Sequence, residues 1–252
     1  NMRRNILNLI SLIAKLWKLI PSKIRIYFFI FLFLLESRDN NTGNGLKKLF
    51  KLKDKLEWVI NERALFYGNG IHPKHKLTRY HDFFVDRIND GEVVVDIGCG
   101  YGAVARSIAK SKVKSKIYGI DIDEEKINQA TSYKNPPNLI FLKGNAEKSM
   151  NIKADVIVLS NVLEHIFLRN EFLNNIRRSI NAKKFLIRVP MFERDWQIPL
   201  RKELKTNFFS DDDHKIEHTI DEFKNELKKS DFEITYISTV WGEIWAECVS
   251  VI

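Results

Sequence analysis

One nine-residue stretch, DIGCGYGAV from Asp96 to Val104, constrains this chain more than any other part of its sequence. It follows three valines, residues 93–95, and passes into a helical pattern that begins near Tyr101. Glycine has no Cβ atom and adopts positive φ angles without strain, so a strand that breaks into glycines and continues as a helix brings its backbone close to a ligand. We therefore predict a strand, a turn and a helix here, with a ligand bound at the turn.

Strands and helices alternate from this turn onwards. The predicted strands are EVVVDIG, KIYGIDI, NLIFLKG, ADVIVLS, KKFLIRVP, FEITYISTVW and EIWAECVSVI. Several are continuous apolar runs, as expected for strands covered on both faces, and their alternation with helices indicates a parallel sheet. The last two are joined tightly around Gly242, which only an antiparallel hairpin allows, and Trp241 and Trp245 beside it are predicted core residues. We predict an α/β fold: a doubly wound, seven-stranded, mostly parallel sheet with an antiparallel last strand.

The N-terminal part, residues 1–60, differs from the rest and is predicted to be a helical extension of a main domain that spans residues 61–252. Pro21 breaks its apolar and basic sequence into two helical pieces. As a helix, the apolar run from Tyr27 to Leu35 would span about 14 Å, against about 30 Å for a bilayer core, so we expect no transmembrane helix. The polar stretch from Ser37 to Gly45 is predicted to be a loop.

Two roles are open for this extension. It can pack on the main domain or on a second copy of the chain, which would give a homodimer. Alternatively, residues 4–36 can lie on the inner face of a membrane, with Trp17 and nearby phenylalanines at the acyl boundary and Lys18 and Lys23 at anionic headgroups. The formal net charge of +9 favours anionic partners.

The cysteines indicate the compartment. Cys99 and Cys248 form no disulfide framework, because Cys99 lies inside the glycine turn, so we expect a reducing, cytoplasmic environment. Nucleic acid is not expected as a partner. The stretch NPPN at residues 135–138 precedes the third strand instead of following the fourth, it lacks the aromatic residue that would stack on a base, and we find no RNA-binding module.

The glycines of the turn fit two ligand-binding patterns. Gly98, Gly100 and Ala103 match the dinucleotide pattern G-x-G-x-x-G/A, and the stretch from Asp96 to Gly102 matches D-x-G-x-G-x-G. The glycines alone cannot decide, since both ligands need backbone without Cβ atoms close to them. Asp96 favours the second pattern, because a carboxylate there can act on the ammonium group of an amino-acid ligand but would be unfavourable beside a pyrophosphate.

Three further positions indicate a nucleoside. Asp121 ends the second strand, where a carboxylate can accept hydrogen bonds from both ribose hydroxyls of a nucleoside. Asn145 and Ala146 follow the third strand, where an adenine edge would lie. The amide oxygen of Asn145 can accept from the adenine amino group, and the backbone N–H of Ala146 can donate to a ring nitrogen. The ribose contact would serve NAD equally well.

The stretches VVVDIGCGYGAVA, IYGIDID, FLKGNAE and ADVIVLSNVLEHI, in this order, resemble the successive motifs of class I S-adenosylmethionine-dependent methyltransferases over residues 77–252. The resemblance implies methyl transfer with S-adenosylmethionine as cofactor. The implied contacts are Asp96, Gly98, Cys99, Gly100, Tyr101 and Gly102 with the methionine moiety, Asp121 with the ribose, Ile122 with the adenine face, Asn145 and Ala146 with the adenine edge, and Asn161 and Val162 near the methionine end. Many members carry Asp in place of Asn145, so we expect weakened rather than lost binding.

The acceptor is predicted from the downstream half. VPMFERDWQIPLRKEL and WGEIWAEC are similar to bacterial methyltransferases of small molecules, which suggests a sugar, glycan or lipid-linked acceptor, with O-methylation favoured. A hydroxyl acceptor needs a base, and the candidates are His165 after the fourth strand and His214 after the fifth. Arg188 and Arg194 can pair with a phosphate or carboxylate of the acceptor, unless they form ion pairs of their own.

The stretch DDDHKIEH, residues 211–218, contains residue types that can bind a metal ion together. We predict no metal, and instead a solvated acidic loop followed by a helix that begins with a capping box of Thr219 and Glu222. Two other functions stay open at this point: a Rossmann-type NAD-dependent oxidoreductase, and a non-catalytic, membrane-associated partner protein that keeps the nucleoside pocket.

Overall fold

The computed structural model describes residues 13–146, 148 and 152–251. The chain divides into two compact units, and the boundary between them falls between Ala64 and Leu65. The first apolar positions of the predicted N-terminal helix, within residues 4–12, lie outside the described residues.

The described residues of the N-terminal unit form helices. Residues 13–17 are helical, helix α1 (Ser22–Ser37) begins directly after Pro21, and helix α2 (Thr42–Tyr67) follows. The break at Pro21 is as predicted. Proline has no N–H to donate within a helix, and it is tolerated at a helix start because the N–H groups there have no helical partner.

The polar loop before α2 is shorter than predicted. The sequence indicates a loop from Ser37 to Gly45, whereas α2 already begins at Thr42. The side chain of Asn41 accepts a hydrogen bond from the backbone N–H of Asn44 at 3.2 Å, which satisfies a donor of the first turn. The helix therefore includes two glycines that the sequence pattern assigns to the loop.

Helix α1 has an apolar surface. None of its residues is buried, and every side chain from Tyr27 to Leu35 is exposed. Within the described part of the chain, no helix combines the length and the apolar character needed to cross a membrane. The contact of residues 4–36 with a membrane surface and the pairing of two copies stay predictions, which vesicle co-sedimentation and the oligomeric state in solution would measure.

The second unit contains a seven-stranded sheet. Its strands are β1 (Val93–Ile97), β2 (Lys116–Asp121), β3 (Leu139–Lys143), β4 (Val156–Ser160), β5 (Lys184–Pro190), β6 (Phe232–Val240) and β7 (Glu243–Ser250). They lie in the order β3-β2-β1-β4-β5-β7-β6, with β1 to β5 parallel and β7 antiparallel to both neighbours. The predicted fold class is confirmed. The chain order reverses between β1 and β4, where open α/β sheets bind ligands.

Helices cover both faces of this sheet. They are α3 (Lys74–Leu77), α4 (Tyr80–Val85), α5 (Ala103–Ser111), α6 (Glu124–Ser132), α7 (Arg169–Ile180), α8 (Gln197–Glu203) and α9 (Ile220–Lys229). Adjacent residues of β1 point to opposite faces. Val94 belongs to a core cluster with Phe84 and Ile108, and Val95 to a second cluster with Leu173. The strands are therefore apolar without interruption because both faces are buried.

The sequence pattern after β4 predicts one continuous helix over residues 162–180, and the structure differs from this prediction. A 3-10 turn covers Leu163–His165, and α7 begins only at Arg169. Ile166 adopts extended angles, which interrupts the helical path. His165 consequently lies in a turn just beyond the end of β4 and not at the start of a long helix.

The hairpin between β6 and β7 turns through Trp241 and Gly242, whose φ angles are +55° and +74°. Two positive φ angles in a two-residue connection are typical of a type I′ turn. The indole of Trp241 is 68% exposed at the tip, whereas Trp245 is buried with its ring 5.4 Å from that of Phe83. The prediction of a core position is confirmed for Trp245 and wrong for Trp241.

Candidate functional site

The glycine turn after β1 is shaped by three left-handed residues. Gly98, Gly100 and Gly102 have φ angles of +66°, +53° and +75°. A Cβ atom on Gly98 would lie 2.7 Å from Cγ2 of Val162, and one on Gly102 would lie 2.2 Å from Cζ of Phe141. At Gly100, by contrast, no atom of the described residues lies within 4 Å of that position. Packing therefore requires glycine at positions 98 and 102, and Gly100 leaves open space for a ligand.

Asp121 ties the end of β2 to this turn. Its Oδ2 accepts a hydrogen bond from the backbone N–H of Gly100 at 2.8 Å, and its Oδ1 accepts one from Asp123 N–H at 2.9 Å. A carboxylate has about four acceptor positions, so both oxygens keep a lone pair for a further donor. The carboxylate is thus held in one orientation beside the turn while retaining the capacity to bind a hydroxyl pair.

Asp96, at the end of β1, carries the second carboxylate of the site. Its side chain is 1% exposed, and its Oδ2 has no hydrogen-bond partner among the described residues. Burial raises the pKa of Asp96 to about 7, the N–H of Ala105 acts to lower it, and the negative charge of Asp121 raises it further. The electrostatic coupling shows that the two predicted carboxylates share one region at the carboxyl end of the sheet.

Cys99 and Tyr101 complete the turn. The N–H of Cys99 donates to the carbonyl of Ile120 at 3.0 Å, which fixes the turn against β2. Burial raises the pKa of the Cys99 thiol, so this cysteine has no thiolate character that would make it a nucleophile. The side chain of Tyr101 is exposed. The backbone of the turn, more than its side chains, is thus available for a ligand.

The loop after β3 approaches the same edge. Gly144 N–H donates to the carbonyl of Asp121 at 3.0 Å, so Asn145 and Ala146 follow directly from a point fixed against β2. Ala146 is buried, whereas Ile122 beyond Asp121 is exposed. The residues predicted to contact an adenine edge and an adenine face therefore belong to two loops that a backbone hydrogen bond holds together.

Asn161 and Val162 follow β4 on the other side of the turn. Asn161 adopts a left-handed φ of +57°, and its N–H donates to the carbonyl of Arg188 at 2.8 Å. Its side-chain Oδ1 is buried and unpaired within the described part of the chain. Val162 is buried against Gly98. These two residues therefore border the turn from the β4 side.

His165 and His214 lie close together although α7, β5 and α8 separate them in sequence. Their ring centroids lie 4.8 Å apart. Nδ1 of His214 lies 3.0 Å from Oε1 of Glu217, and Nδ1 of His165 lies 3.1 Å from Oδ2 of Asp213. Burial lowers the pKa of His165. Burial also acts to lower the pKa of His214, but the hydrogen bond with Glu217 and the nearby Glu164 outweigh it, and the net shift is upward.

The loop that contains His214 is solvated only in part, because its acidic residues 211–213 are exposed as the sequence suggests. His214, Glu217 and His218 are all buried. The reason is a backbone link to the turn after β4, in which Lys215 N–H donates to the carbonyl of Glu164 at 2.7 Å. The capping box that follows, Thr219 with Glu222, is confirmed. His218 lies apart from the histidine pair, with its Nε2 3.1 Å from Oε1 of Glu226.

Glu164 is the residue that sequence reasoning missed. Its side chain is 0% exposed, and neither carboxylate oxygen has a hydrogen-bond partner among the residues described. Burial raises the pKa of Glu164 to about 8. The sequence did carry a signal, because an acid inside the otherwise apolar stretch NVLEHI is unusual unless a partner compensates its burial.

Arg188 and Arg194 do not offer free guanidinium groups to an acceptor. Arg188 is paired with Glu243 of the neighbouring strand β7, and its Nε donates to Oε2 of that residue at 2.5 Å. Arg194 is paired with the buried Glu217 and also donates to the carbonyl of Phe208 at 2.8 Å. Of the two possibilities raised by the sequence, the internal ion pairs are the ones found.

Part of this sequence is similar to sequences of known proteins. Over 136 residues the chain is 29% identical to ribosomal protein L11 methyltransferase of Thermotoga neapolitana, which covers 53% of this chain and 49% of the relative. Over 106 residues it is 26% identical to the mitochondrial ubiquinone biosynthesis O-methyltransferase of Saccharomyces cerevisiae, covering 40% and 34% of the two chains. The chain thus spans half or less of the length of these curated relatives.

A solved structure shares the fold. A SAM-dependent methyltransferase from Aquifex aeolicus superposes with a TM-score of 0.55 over 71% of this chain and 93% of its own, at 18% sequence identity.

The fold, the glycine turn and these similarities define a class I S-adenosylmethionine-dependent methyltransferase. Residues 88–240 match the family described as methyltransferase domain, and the chain belongs to this family. Its cofactor is S-adenosylmethionine, and the alternatives of an NAD-dependent oxidoreductase and of a non-catalytic partner protein are set aside.

The residues present fit this cofactor. The space at Gly100 allows a ligand to lie against the backbone. The unpaired Oδ2 of Asp96 can accept a hydrogen bond in a network that ends at the ligand's ammonium group. The carboxylate of Asp121 has lone pairs left for two hydroxyls.

Proposed function

We propose that this methyltransferase modifies a hydroxyl oxygen of a small molecule, namely a sugar, a glycan or a lipid-linked acceptor. The observation that carries the proposal is the paired imidazole rings of His165 and His214, 4.8 Å apart, beyond β4 and next to the residues that border the glycine turn. An oxygen acceptor must lose a proton as it reacts, whereas an amine needs only its neutral form. The similarity to an O-methyltransferase of ubiquinone biosynthesis supports this reading.

Each side chain of the site has a proposed task. When bound, S-adenosylmethionine supplies a methyl group already activated by its sulfonium centre. Asp121 holds the ribose hydroxyls, and Asp96 balances the ammonium group through the backbone network of the turn. Asn145 and Ala146 contact the adenine edge. One of the two histidines, His165 or His214, takes up the proton of the acceptor hydroxyl.

The relatives named as ribosomal protein L11 methyltransferases favour a different acceptor, a protein. Their match covers about half of this chain and about half of their own length, so it does not extend over the whole of either protein. The histidine pair is not required for transfer to an amine in its neutral form. An experiment therefore has to determine whether the protein methylates a hydroxyl compound or another protein.

Replacing either histidine with asparagine is expected to lower kcat for methylation of a hydroxyl acceptor by about 10²–10³-fold, because general-base catalysis contributes on that order. The dissociation constant for S-adenosylhomocysteine should stay within about threefold, since neither histidine contacts the cofactor in the proposed arrangement. The measurement is methyl transfer to a panel of nucleotide sugars and lipid-linked glycans, with products identified by mass spectrometry.

His72→Asn is the matched control, because His72 lies in the loop before α3 and outside the cluster. It should methylate like the wild type. Transfer to purified ribosomal protein L11 with no transfer to any hydroxyl compound, or histidine variants with wild-type kcat, would contradict the proposal.

The affinity for S-adenosylhomocysteine is expected to rise with pH between about 5.5 and 7.5. Burial holds the pKa of Asp96 at about 7 without ligand, so the side chain is mostly protonated below that pH. The ligand's ammonium group favours the ionised form, so binding below pH 7 must release this proton and is weaker by up to about tenfold per pH unit. Calorimetry across this range should show the trend in wild type and a flat profile in Asp96→Asn. An equally flat wild-type profile would remove Asp96 from cofactor binding.

A further inference from the structure

We propose that Glu164, His165 and His214 bind a divalent transition-metal ion at the carboxyl edge of the sheet. Each side chain offers one ligand atom, an imidazole nitrogen or a carboxylate oxygen, and these atoms all lie within 4.8 Å of one another. Ligands about 2.1 Å from one ion lie about 3.0–3.4 Å apart, so the three ligand atoms would have to move closer together to bind an ion. The ion's role toward an acceptor rests on the proposed function, but its binding does not.

The burial of Glu164 is the first independent observation for this site. The side chain is 0% exposed, and both of its carboxylate oxygens lack a hydrogen-bond partner in the described part of the protein. A buried carboxyl group in a protein usually has polar partners or is neutral, and the two unpaired oxygens of Glu164 are therefore open to a cation. The other two side chains of the cluster are imidazoles, which are metal ligands in their neutral form.

The orientation of His214 is the second observation. Its Nδ1 faces Oε1 of Glu217 at 3.0 Å, which leaves Nε2 as the ring atom available to a metal ion. Glu217 is itself fixed, because it is ion-paired with Arg194 and its Oε1 accepts the hydroxyl of Ser210 at 2.7 Å. A carboxylate that holds the remote ring nitrogen of a ligating histidine is the usual outer partner in metal sites. Nδ1 of His165 lies 3.1 Å from Oδ2 of the exposed Asp213, without a hydrogen bond among the described residues.

The backbone holds the two halves of the site together. Glu164 and His165 belong to the 3-10 turn after β4, and His214 belongs to the loop before α9. The N–H of Lys215, the residue after His214, donates to the carbonyl of Glu164 at 2.7 Å. The chain therefore fixes the ligand-bearing segments against each other without using the ligand atoms themselves.

The donor set indicates the kind of ion. Two imidazoles and one carboxylate suit Mn²⁺, Fe²⁺, Co²⁺ or Zn²⁺ better than Mg²⁺ or Ca²⁺, which prefer oxygen ligands throughout. Three protein ligands leave positions open for an acceptor hydroxyl, whose proton would then be lost more readily to solvent. With an ion bound, the two histidines would act on the hydroxyl through the metal, and this would replace the direct uptake of the proton described under the proposed function.

The test uses the full chain without an affinity tag, titrated with Co²⁺ and followed by the visible absorption that appears when imidazole nitrogens bind this ion. The wild type should bind one Co²⁺ per chain. Glu164→Gln and His214→Ala should each weaken binding by at least about tenfold, and His72→Asn should leave it unchanged. Circular dichroism and calorimetry with S-adenosylhomocysteine on the same samples report whether each variant is folded and whether the cofactor site is intact.

The outcomes separate the two proposals. If the wild type binds S-adenosylhomocysteine but no Co²⁺, or if folded Glu164 and His214 variants bind Co²⁺ like the wild type, the metal site is wrong. If Co²⁺ binds as expected and no hydroxyl compound is methylated, the metal site stands and the proposed acceptor chemistry fails. A loss of methyl transfer on chelation, restored by Co²⁺ or Mn²⁺, would place the ion in the reaction.

Discussion

Asp121→Asn is expected to weaken S-adenosylhomocysteine binding by about a hundredfold or more. The carboxylate already accepts the N–H groups of Gly100 and Asp123, and it is proposed to accept two ribose hydroxyls as well. An amide has one acceptor oxygen, so its NH₂ group must face either an N–H donor or a hydroxyl that needs an acceptor. Two charge-assisted hydrogen bonds are together worth about 3 kcal/mol or more, which corresponds to about a hundredfold in the dissociation constant.

Asp123→Asn is the matched control for this change. Asp123 lies two residues further on, and its side chain accepts the N–H groups of Glu125 and Lys126 as the cap of α6. Asparagine caps helices about as well as aspartate, so affinity should stay within about threefold of wild type. Calorimetry with both variants at pH 7.5 measures the difference. Equal affinities in the two variants would show that Asp121 only supports the turn and does not bind the ribose.

Gly100→Ala is expected to lower the affinity for S-adenosylhomocysteine by about thirty- to a hundredfold while the protein stays folded. The added methyl group would meet no atom of the described residues, and it would occupy the space left for the ligand. Alanine in the left-handed conformation costs about 1–2 kcal/mol, so the free energy of unfolding should fall by no more than that. The loss of affinity follows because a ligand in contact with this backbone has to shift by the width of a methyl group.

Gly102→Ala should lower the free energy of unfolding more than Gly100→Ala does. Its φ is +75°, and the new Cβ would lie 2.2 Å from Cζ of Phe141, a ring that also lies over Gly119. Left-handed strain and the displacement of that ring together should lower the free energy of unfolding by about 2–4 kcal/mol. Urea unfolding of both variants, with binding measured on the folded fraction, checks the pair. A Gly100→Ala protein that binds normally would contradict a ligand at this position.

The sequence predicts the sheet well because each strand and its neighbouring helix carry local patterns. The continuous apolar run of β1 and the three positive φ angles at Gly98, Gly100 and Gly102 follow from residue types a few positions apart. The break at Pro21 and the capping box at Thr219 are equally local. The prediction was wrong where local patterns were ambiguous, as in the region after β4, where helix-forming residues adopt a 3-10 turn.

The partners of the polar side chains were much harder to predict. The sequence offers Arg188 and Arg194 as acceptor-binding groups, but Glu243 and Glu217, which lie far along the chain, neutralise them. The loop at residues 211–218 is a second example, because its acidic residues 211–213 are exposed as predicted but His214, Glu217 and His218 are buried. Such contacts depend on which segments the sheet brings to one edge, and no short-range pattern encodes them.

What the amino-acid sequence determined by itself is the fold, the position of the cofactor turn and the carboxylates Asp96 and Asp121, because periodicity and glycine placement act over a few residues. What only the tertiary structure decided is the other half of the site. The meeting of Glu164, His165 and His214, with Glu164 buried and unpaired among the described residues, results from packing the loop before α9 against the end of β4. Contacts between segments so far apart arise from the shape of the assembled core, and that shape is a property of the whole domain.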